Sequence, residues 1–170
     1  MDLLTVDSLP VLSAFMFLEE ATKGRIWVPK DVSGDIAKML ERSMDCIAAD
    51  QRLDLHIDTN NGTATVWSLA EAIKARTLTR AHVGAEALSA GLILTCACAH
   101  RICLPDTRFL YHGFPGQDEA NARKAKWFAE RTNLPEETWL AMAETGEAHE
   151  FGAEQALEWG VVHSVEGGRE

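Results

Sequence analysis

The chain has little of what a membrane-spanning, exported or nucleic-acid-binding protein needs. It has no run of about 18 apolar residues, so no transmembrane helix is expected. The opening Met1-Asp2-Leu3-Leu4 lacks the basic stretch of a signal peptide, so a cytoplasmic location is expected. Lys and Arg number 16 against 26 Asp and Glu, giving a net charge of −10 and a pI near 5.0. That balance argues against unspecific binding to nucleic acid or to an anionic membrane. No CxxC pair, no HExxH and no phosphate-binding glycine loop occurs, so no metal or nucleotide cofactor is expected. Cysteines are few: Cys46, Cys96, Cys98 and Cys103. In a cytosolic chain these are expected as free thiols. Cys96 and Cys98 sit in the apolar run Leu92 to Ala99, which reads as a buried helix rather than a metal site.

What remains is a globular composition. Hydrophobic residues make up 46% of 170, enough for one domain with a sizeable core. There is no internal repeat and no low-complexity tract. Residues 1–24 read as an N-terminal arm, whose apolar run Leu9 to Leu18 is followed by Glu19-Glu20, and residues 25–170 as the folded domain. Arg25 to Val28 and the alternating Leu53 to Asp58 read as strands. Ser33 can cap a helix from Gly34 to Ala49, with Ile36, Met39, Leu40, Met44 and Ile47 at helical spacing. Thr59-Asn60-Asn61-Gly62-Thr63 is a turn signal, and Val66 to Ala75 a helix. Ala81 to Ala87 is a strand, Ser89 opens a helix, and Arg101 to Leu104 and Arg108 to Tyr111 are short strands. Helices are predicted over Asp118 to Arg131, Pro135 to Glu144 and Ala153 to Trp159, the last stopped by Gly160, and then a terminal strand over Val161 to Val165. Alternating strands and helices imply an α/β fold with a largely parallel sheet.

The chemistry concentrates at Ser89. It stands between the short apolar run His82 to Leu88 and the helical run Leu92 to Ala99, with Ala90-Gly91 behind it. A serine at a strand-to-helix turn has its Oγ lifted clear of the chain, and the helix start turns free N–H groups toward a developing oxyanion. His112 follows 23 residues later, at the end of the next apolar segment, where it can serve as general base. Taken alone, Ser-Ala-Gly is an ordinary helix start and a single histidine is usually structural.

The order of segments resembles the Clp protease proteolytic-subunit family, within the crotonase-like fold. The likeness runs through Arg25-Ile26-Trp27-Val28, then Leu55 to Gly62, then Ala87-Leu88-Ser89-Ala90-Gly91 and Arg101 to His112, and closes with Ala153 to Val165. It implies a single-domain spiral of ββα units and a serine endopeptidase. Ser89 then matches the nucleophile, His112 the base, and the Ala90 N–H one oxyanion donor. The second donor falls on Asn61, followed by Gly62, where the family has paired glycines. Peptide or unfolded-protein substrates, a homo-oligomeric ring and a separate AAA+ unfoldase are implied as partners. Two departures stand out. The family's third catalytic residue, an aspartate, falls here on Ala148 or His149. Glu147 and Glu150 flank it as candidate third members, and a Ser-His dyad is the alternative. The stretch from His112 to Gly160 is also shorter than the family's ring-joining handle.

Other readings compete. A crotonase-type acyl-CoA hydratase or hydrolase would share the oxyanion hole but rely on carboxylates. An α/β-hydrolase would use Ala87-x-Ser89-x-Gly91 as a degenerate elbow with His163 as base. A catalytically impaired ring subunit would keep the fold and lose the acid. Lys124 and Lys126 raise a Ser-Lys dyad, but on a polar helix both are expected in solvent. Asp118-Glu119 reads as solvated surface, and His56, His82 and His100 have no evident partner.

Overall fold

The computed structural model describes residues 23–167, so the expected arm over Leu9 to Leu18 lies outside the described residues. The chain is α/β with a mostly parallel sheet. Its strands are β1 (Arg25–Val28), β2 (Asp31–Val32), β3 (Leu53–Thr59), β4 (Asn61–Gly62), β5 (Thr79–Leu88), β6 (His100–Cys103), β7 (Arg108–His112), β8 (Ala148–Gly152) and β9 (Ser164–Val165). Its helices are α1 (Gly34–Asp45), α2 (Val66–Lys74), α3 (Ala90–Ala97), α4 (Asp118–Ala129), α5 (Glu136–Glu144) and α6 (Ala153–Glu158).

The main sheet runs β1-β3-β5-β6-β9, all parallel. β5 is the spine. Its first half pairs with β6, while its last residues pair with β7 through Glu86↔Arg108, Ala87↔Phe109 and Leu88↔Leu110. β8 then adds antiparallel to β7. A register shift between Ile57 and Thr59 lets β3 follow β5 across this fork. The sequence signal for β3 is plain, because Leu53, Leu55, Ile57 and Thr59 are buried while the residues between them are half-exposed.

Several expected elements differ in detail. α1 stops at Asp45 rather than Ala49, where the Cys46 N–H turns back to Ser43 and Met44; Ser33 precedes the helix but makes no side-chain cap bond. Within the turn after β3, Asn61–Gly62 forms β4 and pairs in parallel with β2, a strand absent from the sequence reading. The terminal strand shortens to Ser164–Val165.

α3 is buried along all eight residues and packs against β3, β5, β7 and α2. A helix that is apolar all round belongs inside, and this one holds the centre of the molecule. Cys96 lies on it and Cys98 follows its last residue, both buried, and burial pushes the Cys96 thiol up to about 11, an environment for inert thiols. A second apolar layer lies beyond β7. Tyr111 meets Phe128 at 5.3 Å and Trp139 at 4.7 Å between ring centroids, and Trp139 bonds Thr132 through its indole N–H. This cluster fastens α4 and α5 to the strand that ends in His112.

Candidate active site

Ser89 sits where β5 ends and α3 begins. Its backbone is at φ 50°, ψ −100°, the only positive φ outside glycine among the described residues. Such a conformation costs about 1–3 kcal/mol and persists only when its surroundings over-determine it. Here the surroundings are bonds on both sides: the Ser89 N–H donates to the Leu110 carbonyl at 3.0 Å, and the Ser89 carbonyl accepts from the Ile93 N–H at 3.3 Å. The kink lifts Oγ out of the strand toward the end of β7. Because β5 and β7 run side by side in the same direction, Ser89 and His112 emerge at the same edge. Ser89 Oγ and His112 Nε2 are 2.8 Å apart.

The other ring nitrogen settles the tautomer. His112 Nδ1 lies 2.8 Å from the Gly113 carbonyl oxygen, which can only accept. Nδ1 therefore carries the proton, and Nε2 is free to accept from the serine hydroxyl. Neither Glu147 nor Glu150 fills the third position. β8 places Ala148 directly opposite His112 and Glu150 opposite Leu110. Both glutamates are exposed, and among the described residues no carboxylate touches His112. A carbonyl orients the ring but supplies no charge to stabilise an imidazolium.

The oxyanion side also differs in detail from the expectation. The Asn61 N–H is committed to the Lys30 carbonyl at 3.1 Å, and the Thr63 N–H to the Val32 carbonyl at 3.1 Å. In a parallel ladder alternate N–H groups face opposite ways, so the one between them, on Gly62, faces away from β2. On that side stands Ala90, the first residue of α3, whose own N–H has no partner within the helix. A Cβ on Gly62 would lie 2.6 Å from the Ala90 Cβ. Glycine serves here by permitting close approach rather than by a positive φ. The N–H groups left free to meet an oxyanion here are therefore those of Gly62 and Ala90, while the Asn61 N–H is committed to Lys30. The turn is held by Glu86, a buried carboxylate that accepts from Asn60 Nδ2 and Arg108, each at 2.9 Å. The Asn60 bond, with Lys30 and Arg108 nearby, holds its pKa below the usual range.

Lys124 is where the sequence reading fails. It is 3% exposed, although Lys126 one half-turn on is in solvent as expected. Its Nζ donates to the His112 carbonyl at 2.6 Å and lies over the Tyr111 and Phe114 rings, 4.6 and 4.9 Å from their centroids. Desolvation lowers its pKa to about 8. The partner reached is a backbone carbonyl, not Ser89, so the contacts point to no Ser-Lys dyad. His163 packs against Arg101, whose guanidinium is 2.8 Å from its Nε2, and makes no bond to Ser89. His82 faces Asp54 at 3.4 Å, His56 stacks between Trp27 and His82, and His100 lies beside His163.

Ser89, Ala90, Gly62, His112, Trp67 and Lys124 line a cavity of about 490 Å³. A second, of about 340 Å³, shares Trp67, Phe114, Arg123 and Lys124 with it and extends to Trp127. Both fall within the size range of ligand sites. Among the described residues no group of three His, Cys, Asp or Glu is placed to hold a metal ion, and no helix is long and apolar enough to cross a membrane. No protein-family model and no curated protein matches this sequence.

Proposed function

We propose that this chain is a serine peptidase of the Clp proteolytic type, built on the crotonase-like spiral, working through a Ser-His dyad. The observation that carries the reading is the 2.8 Å approach of Ser89 Oγ to His112 Nε2, with Ser89 held at positive φ on a helix start. Ser89 attacks a peptide carbonyl while His112 Nε2 takes the hydroxyl proton. The tetrahedral oxyanion forms beside the Gly62 and Ala90 N–H groups. His112 then returns the proton to the leaving amine, and water repeats the cycle on the acyl-enzyme. The Gly113 carbonyl keeps the ring in the working tautomer throughout. A peptide or unfolded segment is the substrate, assembly is a homo-oligomeric ring, and any AAA+ unfoldase is a separate chain.

The alanine opposite His112 favours one alternative, a ring subunit with impaired turnover. A fluorophosphonate probe separates the two when paired with a peptide-cleavage assay. The expected result is labelling of Ser89 alone, lost in Ser89→Ala with the fold intact, together with measurable cleavage. Labelling without cleavage of any peptide would assign the impaired subunit, and activity persisting in Ser89→Ala would refute the serine mechanism.

A further inference from the structure

Lys124 presents an ammonium that the fold has taken out of water without giving it a counter-ion. One N–H goes to the His112 carbonyl and two aromatic faces lie beside it, but among the described residues no carboxylate pairs with it. It lines both cavities at the Ser89–His112 edge. Neither lining contains an aspartate or glutamate. Arg123 lies at the rim of both and is itself exposed, with a loose ion pair of 3.4 Å to the exposed Glu119. The remaining wall of the smaller cavity is apolar: Trp67, Phe114, Ala120 and Trp127. A buried cation at the inner end of an apolar slot, with a second cation at its mouth, is complementary to a short apolar stem ending in an anion.

We propose that Lys124 is a specificity-determining residue that binds a carboxylate of the peptide placed at Ser89, so that substrates carrying an acidic group at one fixed distance from the scissile bond are preferred. The inference rests on the serine-peptidase reading for its reaction but not for its binding. Two sources supply that chemistry, an acidic side chain and a free peptide C-terminus.

Matched N-acetyl peptides with Glu or Gln at successive positions, and matched peptides ending in a free acid or an amide, distinguish them. Cleavage by the full chain should favour the acid member of one pair by at least about tenfold in kcat/KM, the scale of a hydrogen bond to a charged group. The position that responds identifies the source. Lys124→Met should bring the acid-to-amide ratio to about one, whatever it does to the common rate, and Lys124→Arg should restore part of the preference.

Calorimetric titration of the same peptides into Ser89→Ala reads binding without turnover. An acid preference in binding with no cleavage of any peptide would sustain the carboxylate site and sink the peptidase. Cleavage and binding that ignore the charge at every position would overturn the carboxylate site and leave the peptidase standing. Should Lys124→Met fail to fold, the native chain carries the test. The acid-to-amide ratio should fall as pH rises through about 8, where the free lysine loses its proton. The titratable and charged groups facing Lys124 are His112 and Tyr111 on β7 and Arg123 on α4. Arg123 keeps its charge, burial keeps Tyr111 protonated, and His112 acts on both substrates alike. A ratio flat from pH 7 to about 9.5 would overturn the assignment.

Discussion

The identity of the group opposite His112 decides how much catalysis this site can deliver. A triad carboxylate is worth about 10⁴-fold in rate, through orientation and through stabilising the imidazolium. Gly113 supplies only the orientation. Glu147→Gln and Glu150→Gln should therefore each change kcat/KM by less than about threefold, whereas His112→Ala should abolish most of it. The register offers a sharper measurement. Ala148 stands directly across from His112, and residues so paired share one face of the sheet with Cβ atoms about 4.5–5.5 Å apart. Ala148→Asp should bring a carboxylate to Nδ1 in place of the Gly113 carbonyl and raise kcat/KM by at least about tenfold. No gain from a folded Ala148→Asp chain would show that the carbonyl-bound tautomer is already sufficient. Ser89 and His112 were legible as residues because both stand at ends of apolar segments. Asn61 and Gly62 were both legible as candidates for the oxyanion side, but which of their N–H groups stays free depends on β2, a two-residue strand with no pattern of its own.

At the scale of elements, the site depends on how closely β4 and α3 approach. Gly62 meets Ala90 at the helix start, and at the very next residue Gly91 meets the backbone of Thr59, whose carbonyl oxygen would lie 2.5 Å from an added Cβ. Both neighbours are main chain or helix and cannot swing away. Gly91→Ala should therefore destabilise the fold by about 1–3 kcal/mol, the cost of overpacking a filled core. Gly62→Ala should cost a similar amount and also move the Gly62 N–H away from the position an oxyanion would occupy, lowering the rate by about 10²-fold or more. Urea melts and kinetics on the two variants separate the effects: only Gly62→Ala should lose activity beyond what its folded fraction explains. α3 was easy to read because it is apolar throughout. α4 was not, since its inward stripe is Asn121, Lys124, Ala125 and Phe128. That spacing is helical, but two of its four members are polar, and their side chains bond the backbone at the end of β7 and just beyond it, Phe114 for Asn121 and the His112 carbonyl for Lys124. β8 was missed for a related reason. Ala148-His149-Glu150-Phe151-Gly152 has no strand pattern and is a strand because β7 pairs with it.

For the molecule as a whole, the buried cation is a stability liability with a defined dependence on pH. The folded-state pKa of Lys124 is lowered from the ordinary 10.5 to about 8. Below about 8 the lysine is protonated folded and unfolded alike, and burial of the charge opposes folding in full. Between about 8 and 10.5 the unfolded chain still binds the proton while the folded chain has released it, so this group's contribution to stability rises with pH. The buried thiols act the other way. Burial raises Cys96 and Cys103 to about 11, so above pH 9 the unfolded chain loses their protons first and stability falls. Comparing wild type with Lys124→Met cancels the thiols, which both chains share. The unfolding free energy of wild type relative to Lys124→Met should climb by about 1–2 kcal/mol between pH 7 and about 9.5, read from urea midpoints at constant ionic strength. A constant difference would mean that water reaches Nζ in the folded chain. A climb of the expected size would show that this fold retains a buried charge at a cost in stability, close to Ser89 held at positive φ, as a chain does when the charge has a ligand to meet.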